Sequence, residues 1–258
     1  MGKELLLEIG TEEIPAAFLP RAMKDMGEII SREFSELLIR HGEVKTMSTP
    51  RRLFLCVKEI AEKQEERVVE KLGPAKRVAF DEKGNPTPAV IGFARSQGVE
   101  IDSLKTVATD KGEYVAIRKK IAGAETKTLL AQILPKLITA IPFRRSMRWA
   151  DFETRFARPI HWIMAIYGGE VIPFSIENIQ SGNQSRGHRF LSPDVFKADN
   201  LEEYLARTKE HFVIADIEER KRIILTQADH AARAVSGKVF YTDELLETVA
   251  CLVEYPVV

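Results

Sequence analysis

The spacing of hydrophobic residues predicts a strand, a helix and two further strands at the amino-terminal end. Residues 3–9 form a short apolar run flanked by acidic residues, which predicts a buried strand. Apolar residues then recur every three to four positions from Phe18 to Leu38, which predicts a helix that ends at Gly42. The strand-like runs 44–47 and 52–60 follow. Together these elements predict a small α+β sandwich.

The middle of the chain carries weaker patterns. The segment 59–71 is rich in both glutamate and basic residues, which favours a solvated face or a linker. Beyond it, a short helix over 88–97, a hairpin with arms 104–108 and 114–121, and a helix from Leu129 to Ile141 are predicted. We expect Pro135 to kink the last of these helices, because proline removes one backbone hydrogen bond.

The remaining residues return to a strand pattern and end in helices. Strands are predicted over 145–149, 159–167, 171–176 and 182–190, and helices from residue 200 to 206 and from 216 to 234. The predicted fold class is therefore α+β and multi-domain, a small α+β sandwich followed by a β-rich body with packed helices. We expect an amino-terminal α+β domain over 1–62, a helix and hairpin insertion over 63–142, and a β-rich body with helices over 143–258. The apolar final residues favour truncation of that body at its carboxy end.

Composition limits the class of protein. The 258 residues carry 38 Lys and Arg against 38 Asp and Glu, so the net charge predicts no global attraction to nucleic acid. A hydrophobic share of 45% is sufficient for buried cores. Only two cysteines occur, which favours a reducing compartment, and we expect a cytoplasmic protein without membrane contact.

The motifs of common catalytic sites are missing from the sequence. There is no glycine-rich phosphate loop, the five histidines show no metal-ligand spacing, and no serine or cysteine lies in a nucleophile motif. The pair Glu12-Glu13 is typical of a helix start. We therefore predict no catalytic, cofactor-binding or metal-binding residue in this chain.

One segment has a composition that suits RNA. Between residues 141 and 190 there are seven arginines, no lysine and four acidic residues, with Trp149 and Trp162 interleaved. Arginine can grip phosphate bidentately and stack on bases, and aromatic rings stack on bases as well. An alternative interpretation is equally open: the tryptophans lie in the core and the arginines pair with Asp151 and Glu153.

A second, smaller basic element is the turn at 49–53. Together the two elements give the candidate RNA-binding residues Arg51, Arg52, Arg144, Arg145, Arg148, Arg158, His161, Trp162, His188 and Arg189.

Seven fragments of the chain carry a resemblance to a known family. They read EIGTEEIP, TPRRL, GFAR, SMRW, RPIHW, GHRF and LVEYP, and they begin at residues 8, 49, 92, 146, 158, 187 and 252. In this order the set resembles the bacterial glycyl-tRNA synthetase beta subunit. Arg145, Ala150 and Ser185 depart from the usual residues of that family at their positions, which affects local geometry.

The resemblance implies a role in an enzyme that joins glycine to its tRNA. It implies an assembly of two alpha and two beta subunits, in which ATP and Mg²⁺ serve adenylate formation in the alpha subunit and no cofactor binds this part of the beta subunit. The implied partners are the alpha subunit, a second beta subunit and tRNA. The chain would then be a non-catalytic amino-terminal portion that contacts tRNA and assists assembly, inactive by itself.

Two alternative functions remain open at this point. The chain could be a docking module for the alpha subunit without RNA contact, which predicts exposed apolar patches. It could also be a hydrolase acting on aminoacyl-tRNA, with His161 or His188 as the base and Glu12 or Glu13 in support, which predicts that these groups meet in one pocket.

Overall fold

The computed structural model describes residues 2–258. Its strands are β1 Lys3–Thr11, β2 Val44–Thr49, β3 Arg52–Ile60, β4 Arg67–Ala75, β5 Lys105–Thr109, β6 Gly112–Ile121, β7 Ile160–Tyr167, β8 Glu170–Val171, β9 Ser175–Ile176, β10 Ile179–Gly182, β11 Gln184–Arg186 and β12 Val195–Lys197. Its α-helices are α1 Leu19–Glu36, α2 Lys76–Ala79, α3 Pro88–Gln97, α4 Thr126–Ala140, α5 Leu201–Glu210, α6 Ile217–Ala234 and α7 Asp243–Ala250.

The chain forms two compact units. The main unit consists of Met1–Gln64 and Ala124–Val258, and the inserted unit consists of Glu65–Gly123. This division differs from the three domains expected over 1–62, 63–142 and 143–258. The difference arises at α4, which the sequence pattern assigns to the insertion: its apolar residues Leu130, Leu134 and Ile138 belong to the core of the main unit.

A seven-stranded sheet organises the main unit. The strand order is β2-β3-β1-β7-β10-β9, with β8 paired to β7. Strand β1 pairs antiparallel with both β3 and β7, so it lies at the centre of the sheet. β10 joins β7 in parallel. The amino-terminal segment therefore holds together strands that are far apart in sequence.

Both faces of β1 are buried, which explains its continuous apolar run. Leu5, Leu7 and Ile9 point into the larger core, together with the apolar faces of α1 and α4. Leu6 points to the opposite side, where a second cluster contains Phe54 and Tyr204. A strand covered on both faces needs apolar residues at successive positions.

The carboxy-terminal helices begin at side-chain caps and meet at a buried arginine. Asp216 Oδ1 accepts a hydrogen bond from the backbone N–H of Glu218 at the start of α6. One turn later, the guanidinium of Arg220 donates to the carbonyls of Ala250, Ile214 and Ser48, at 2.8, 2.6 and 2.7 Å, and also to that of Ala215. This side chain thus joins α6 to α7 and to β2.

The inserted unit is a small α+β domain. Its three strands follow the order β4-β6-β5, all antiparallel. Ala79 of α2, Val90 of α3 and Val115 of β6 form its core. Glycine is required at position 73, because a Cβ there would overlap the Phe93 ring of α3.

The structure corrects several sequence-based predictions of elements. No strand forms over 145–149, where a single bridge joins Met147 to Phe156. The expected strand over 182–190 is reduced to β11, and Pro173 lies between β8 and β9 where one strand was expected. The charge-rich segment 59–71 contributes to the end of β3 and to β4, and most of its residues are exposed, as the solvated-face interpretation expects.

The α+β, multi-domain fold class is confirmed by the seven helices and the mixed sheets that the structure describes in residues 2–258. Helix α4 runs through Pro135 from Thr126 to Ala140. Within the same described range, no helix has both the length and the apolar character needed to cross a membrane.

The close packing of Gly10 against Trp162 gives the first prediction. The two residues are paired across β1 and β7, and a Cβ on Gly10 would overlap the indole ring. We expect Gly10→Ala to lower the free energy of unfolding by about 1–3 kcal/mol, because the ring has to shift within a packed site. Urea denaturation at pH 7 measures the effect.

Gly182→Ala is the matched control. Gly182 lies in β10 of the same sheet, and nothing lies within 4 Å of a Cβ built there. Equal stability changes in the two variants would contradict the packing argument.

Candidate nucleic-acid interface

An arginine-rich cluster surrounds the ring of Trp162. The guanidinium carbons of Arg51, Arg52 and Arg186 lie 5.8, 5.3 and 5.6 Å from the ring centroid. The ring itself is only 7% exposed. These three arginines come from the turn before β3, from the start of β3 and from β11, so the sheet brings them together. We call this group the Trp162 cluster; cation–π attraction stabilises such an arrangement.

Arg52 is the buried centre of an ion network and is only 1% exposed. Its Nη1 lies 3.0 Å from Glu8 Oε1, and its Nε lies 2.8 Å from Glu254 Oε1. The guanidinium also donates to the carbonyl of Arg186 at 2.6 Å. Tyr204 donates its hydroxyl to Glu8 Oε1 at 3.1 Å. The network therefore connects β1, β3, β11, α5 and the carboxy-terminal segment.

The charges of this network stabilise each other. Burial by itself would lower the pKa of Arg52, but the nearby carboxylates of Glu254 and Glu8 raise it above its usual value. Burial would likewise raise the pKa of Glu254, yet attraction and hydrogen bonding from Arg52 hold it below the usual value. For Tyr204, burial and then the charge of Glu8 raise the pKa well above its usual value. Arg52 and Glu254 are therefore ionised at neutral pH.

Two hydrogen-bond donors next to this network lack partners. The Nε of Arg51 and the Nε1 of Trp162 are both buried and donate to no atom that the structure describes. Burying an unpaired donor is costly, so such groups are expected to acquire an acceptor. Both are donors, and an anion or a carbonyl oxygen would satisfy them.

A second set of side chains links the first strand to β7 and to the loop after β11. Glu12 Oε1 lies 3.0 Å from His161 Nε2. Arg189 Nη1 reaches Glu12 Oε2 at 3.5 Å and Glu13 Oε1 at 3.1 Å. These groups are partly exposed, so they fix the loop at the surface and contribute little to stability.

His188 is oriented by its own loop. Its Nδ1 lies 3.3 and 3.2 Å from the backbone nitrogens of Phe190 and Leu191, so Nδ1 accepts and the proton of the neutral ring lies on Nε2. Burial lowers the pKa of His188, which favours this neutral form. The Nε2–H is therefore a hydrogen-bond donor, and His188 is poorly placed to act as a base.

A separate groove carries unpaired arginines. It has a volume of about 610 Å³ and is lined by Pro15, Phe18, Arg144, Arg145, Ser146, Met147, Ala157 and Arg158. We call it the Arg144 groove. Arg144 and Arg145 are exposed, and no hydrogen bond or ion pair of either guanidinium is found within residues 2–258. Arg158 uses its Nε to donate to the carbonyl of Glu13 at 3.0 Å.

The Arg144 groove contains no acidic side chain in its lining. Phe18 of its lining contacts further aromatic residues: the rings of Phe18 and Phe143 lie 6.4 Å apart in a tilted arrangement, and those of Phe143 and Phe156 lie 4.9 Å apart edge to face. Unopposed guanidinium groups beside apolar surface are suited to a polyanion with flat bases.

The candidate RNA-binding residues of the sequence thus divide into different environments. Arg52 and Trp162 are buried, and Arg52 is engaged by carboxylates and a carbonyl, so we do not include them in the proposed RNA contacts. Arg148 pairs with Glu153 at 2.8 Å, as the alternative interpretation expected of the arginines. The remaining candidates are at least partly accessible: Arg51, Arg144, Arg145, Arg158, His161, His188 and Arg189.

Sequence reasoning missed the partners of Arg52. Glu8 lies within the apolar run of β1, and Glu254 lies within the apolar run 252–258. A carboxylate inside a buried apolar run needs a cation or several hydrogen bonds. The positions of Glu8 and Glu254 in the sequence therefore indicate that each requires a buried partner. Tyr204, which donates its hydroxyl to Glu8, lies in α5 with no comparable signal in its surroundings.

The hydrolase hypothesis finds one of its two contacts. His161 and Glu12 are within hydrogen-bond distance, although neither lines a cavity described in residues 2–258, and His188 and Glu13 line one cavity of about 160 Å³. Of the cavities described in residues 2–258, none is lined by both histidines. Across the same residues, no three His, Cys, Asp or Glu side chains are grouped to hold a metal ion.

Comparison with known proteins identifies the family. The family described as glycyl-tRNA synthetase beta subunit matches residues 5–258. The glycine–tRNA ligase beta subunit of Syntrophus aciditrophicus is 60% identical over 258 residues, which are 100% of this chain and 37% of that protein. Those of Geobacter sp. strain M21 and Geotalea daltonii are 52% and 53% identical over 99% of the chain and 37% of their own lengths. The chain therefore belongs to the glycyl-tRNA synthetase beta subunit family, and it spans 37% of the length of these relatives.

The buried network gives a stability prediction. We expect Arg52→Met to lower the free energy of unfolding by about 3–5 kcal/mol at pH 7, because Glu8 and Glu254 would remain buried without their cation. The loss should become smaller as the pH falls below the usual glutamate value near 4.5, since a protonated Glu254 needs no cation. Chemical denaturation at pH 7 and at low pH measures both effects.

Arg148→Met is the control, because Arg148 forms an exposed pair with Glu153. It should change stability by less than about 1 kcal/mol. A similarly small effect of Arg52→Met would show that the network does not hold the fold together.

Proposed function

We propose that this member of the glycyl-tRNA synthetase beta subunit family is a non-catalytic part of a glycine–tRNA ligase that binds tRNA and assists assembly. The observation that supports the RNA role best is the Arg144 groove, in which Arg144 and Arg145 are exposed, have no partner among residues 2–258, and lie in a lining without acidic residues. Phosphate contacts supply most of the affinity of a protein for nucleic acid. Local charge can provide them although the chain as a whole is neutral.

The contribution of this chain to the reaction would be orientation. A tRNA end reacts faster when it is held in the geometry of attack, and a subunit that grips the body of the tRNA reduces the entropy cost of reaching that geometry. Arg51 of the Trp162 cluster, together with His188 and Arg189, which line the same small cavity, offers further donors. We propose these residues as a second set of contacts.

The chemistry of the whole enzyme would lie elsewhere. We propose that ATP and Mg²⁺ are used by the alpha subunit to form glycyl-adenylate, in an assembly with two alpha and two beta subunits. In the described part of this chain, no three His, Cys, Asp or Glu side chains are grouped to hold a cation.

The Arg144 groove provides the test of RNA binding. We expect the double variant R144E/R145E of this chain to bind glycine tRNA about 10-fold more weakly or worse at 0.1 M salt. The slope of log K against log salt should become shallower by about 1.5, because two phosphate contacts are lost. Fluorescence anisotropy with labelled tRNA at several salt concentrations measures both quantities.

The variant R32E/R233E carries the same charge change at exposed positions on α1 and α6, so it controls for net charge. Equal effects of the two double variants would mean that charge alone, and not the groove, governs binding. Unchanged affinity and slope in R144E/R145E would refute the groove as the RNA site.

A second candidate function, docking of the alpha subunit, is favoured by exposed apolar residues. Seven of the eighteen exposed large apolar residues described in the structure fall between 235 and 258. Among them, Phe240 is 89% exposed and Leu245, in α7, is 53% exposed. Concentrations of exposed apolar side chains mark protein interaction surfaces.

The docking function makes its own prediction. We expect F240S/L245S to weaken binding of purified alpha subunit about 10-fold or more, because apolar anchors supply much of the free energy of association. Its tRNA affinity should stay unchanged. Surface plasmon resonance with the alpha subunit measures the first effect.

V68S/L72S is the control, since these two residues are 58% and 54% exposed in the inserted unit. If the alpha subunit binds both double variants as it binds the unaltered chain, residues 235–258 are not its docking surface.

A further inference from the structure

The inserted unit carries a basic groove of its own. It has a volume of about 440 Å³ and is lined by Val69, Lys71, Gln97, Ile117, Lys119, Lys120, Ile121 and Ala122. We call it the Lys119 groove. Its residues come from β4, from β6 and the residue that follows it, Ala122, and from Gln97, the last residue of α3.

The fold of the inserted unit leaves this part of the sheet uncovered. Helix α3 lies over one end of the face, where Phe93 contacts Gly73. The helix ends at Gln97, followed by Gly98 in the left-handed conformation with φ of 65°. The sheet extends past that end, so the Lys119 groove remains open beside it.

Strand register places lysines beside apolar residues on one face. Val69 is paired with Lys119, and Lys71 is paired with Ile117. Residues directly opposite each other in an antiparallel pair share a face, so Lys71 and Lys119 are diagonal neighbours on it, about 7–8 Å apart. Two like charges are thus held close together above an apolar base.

The lysines of this groove lack acidic partners. No acidic residue lines the groove, and no hydrogen bond or ion pair of Lys71, Lys119 or Lys120 is found in the described range 2–258. By contrast, the neighbouring Arg118 pairs with Glu70 at 2.7 Å. Cations that repel each other and are paired with no carboxylate form a positive site that an anion would neutralise.

The chemistry of the lining indicates which anion fits. Lysine contacts phosphate as a point charge and imposes little geometry. The apolar residues Val69, Ile117 and Ile121 provide no hydrogen-bond donor that could read a base edge, and no aromatic ring for base stacking lines the groove. Contacts of this kind hold the backbone of a nucleic acid without reading its sequence.

We propose that the Lys119 groove binds the phosphate backbone of RNA and is a second anchor for tRNA, separate from the arginine-rich interface of the main unit. This inference rests on the proposed function, since it takes tRNA as the polyanion. The inserted unit would then bind RNA without reading its base sequence, because the groove offers lysine charges over an apolar surface.

The test uses the triple variant K71Q/K119Q/K120Q of this chain. We expect its affinity for glycine tRNA to fall about 10-fold at 0.1 M salt, and its salt slope to become shallower by about 2, because up to three phosphate contacts are removed. The loss should be the same for an unrelated tRNA of equal length, since backbone contacts carry no sequence information. Anisotropy titrations with both tRNAs measure these effects.

K83Q/K105Q/K111Q is the matched control. It removes three exposed lysines from the same unit, none of which lines the groove. The inference is overturned if the groove variant binds like the unaltered chain, if the control loses as much affinity, or if the loss is confined to glycine tRNA.

The outcomes separate this inference from the proposed function. Retained binding in R144E/R145E together with a loss in K71Q/K119Q/K120Q would refute the Arg144 groove and support the Lys119 groove. The reverse pattern would refute only the Lys119 groove. Failure of the unaltered chain to bind any tRNA would overturn both. Groove-dependent binding of polyglutamate in that case would assign the surface to an acidic protein segment.

Discussion

The structure depends on one buried cation, the guanidinium of Arg52. It forms ion pairs with Glu8 in the central strand and with Glu254 in the carboxy-terminal segment, and it is only 1% exposed. Removing charges from water is costly, and only good geometry with several hydrogen bonds offsets that cost. Glu8 and Glu254 are 246 residues apart in the sequence, so folding has to bring these distant segments together at Arg52.

Arginine has two distinct roles in this protein. Arg52 and Arg220 are buried: the first is held by carboxylates, and the second donates to four backbone carbonyls. Burial lowers the pKa of Arg220 to about 10, so it still carries its charge at neutral pH. Arg144 and Arg145 are exposed, and neither guanidinium has an ion-pair or hydrogen-bond partner within residues 2–258. Only arginines of the second kind can exchange water for phosphate without disturbing the fold, which is why the proposed interface rests on them.

The two units offer positive surfaces of different chemistry. In the main unit, guanidinium groups lie near aromatic rings, an arrangement that can both pair with phosphate and stack on bases. In the inserted unit, lysines lie over aliphatic residues, an arrangement suited to phosphate alone. A chain of zero net charge can thus present two positively charged grooves to a polyanion, because its acidic residues pair with cations or lie outside the linings of these grooves.

The sequence by itself determined the family, the α+β class and the elements with strong local periodicity, such as β1, α1 and α4. These depend on spacing between neighbours in the chain, which a sequence displays directly. Only the tertiary structure decided which arginines are buried. Arg51 and Arg52 are adjacent and look alike in sequence, but strand pairing brings Glu8 and Glu254 to Arg52 alone as ion-pair partners. Burial and long-range pairing are set by contacts between distant segments, and local patterns do not contain them.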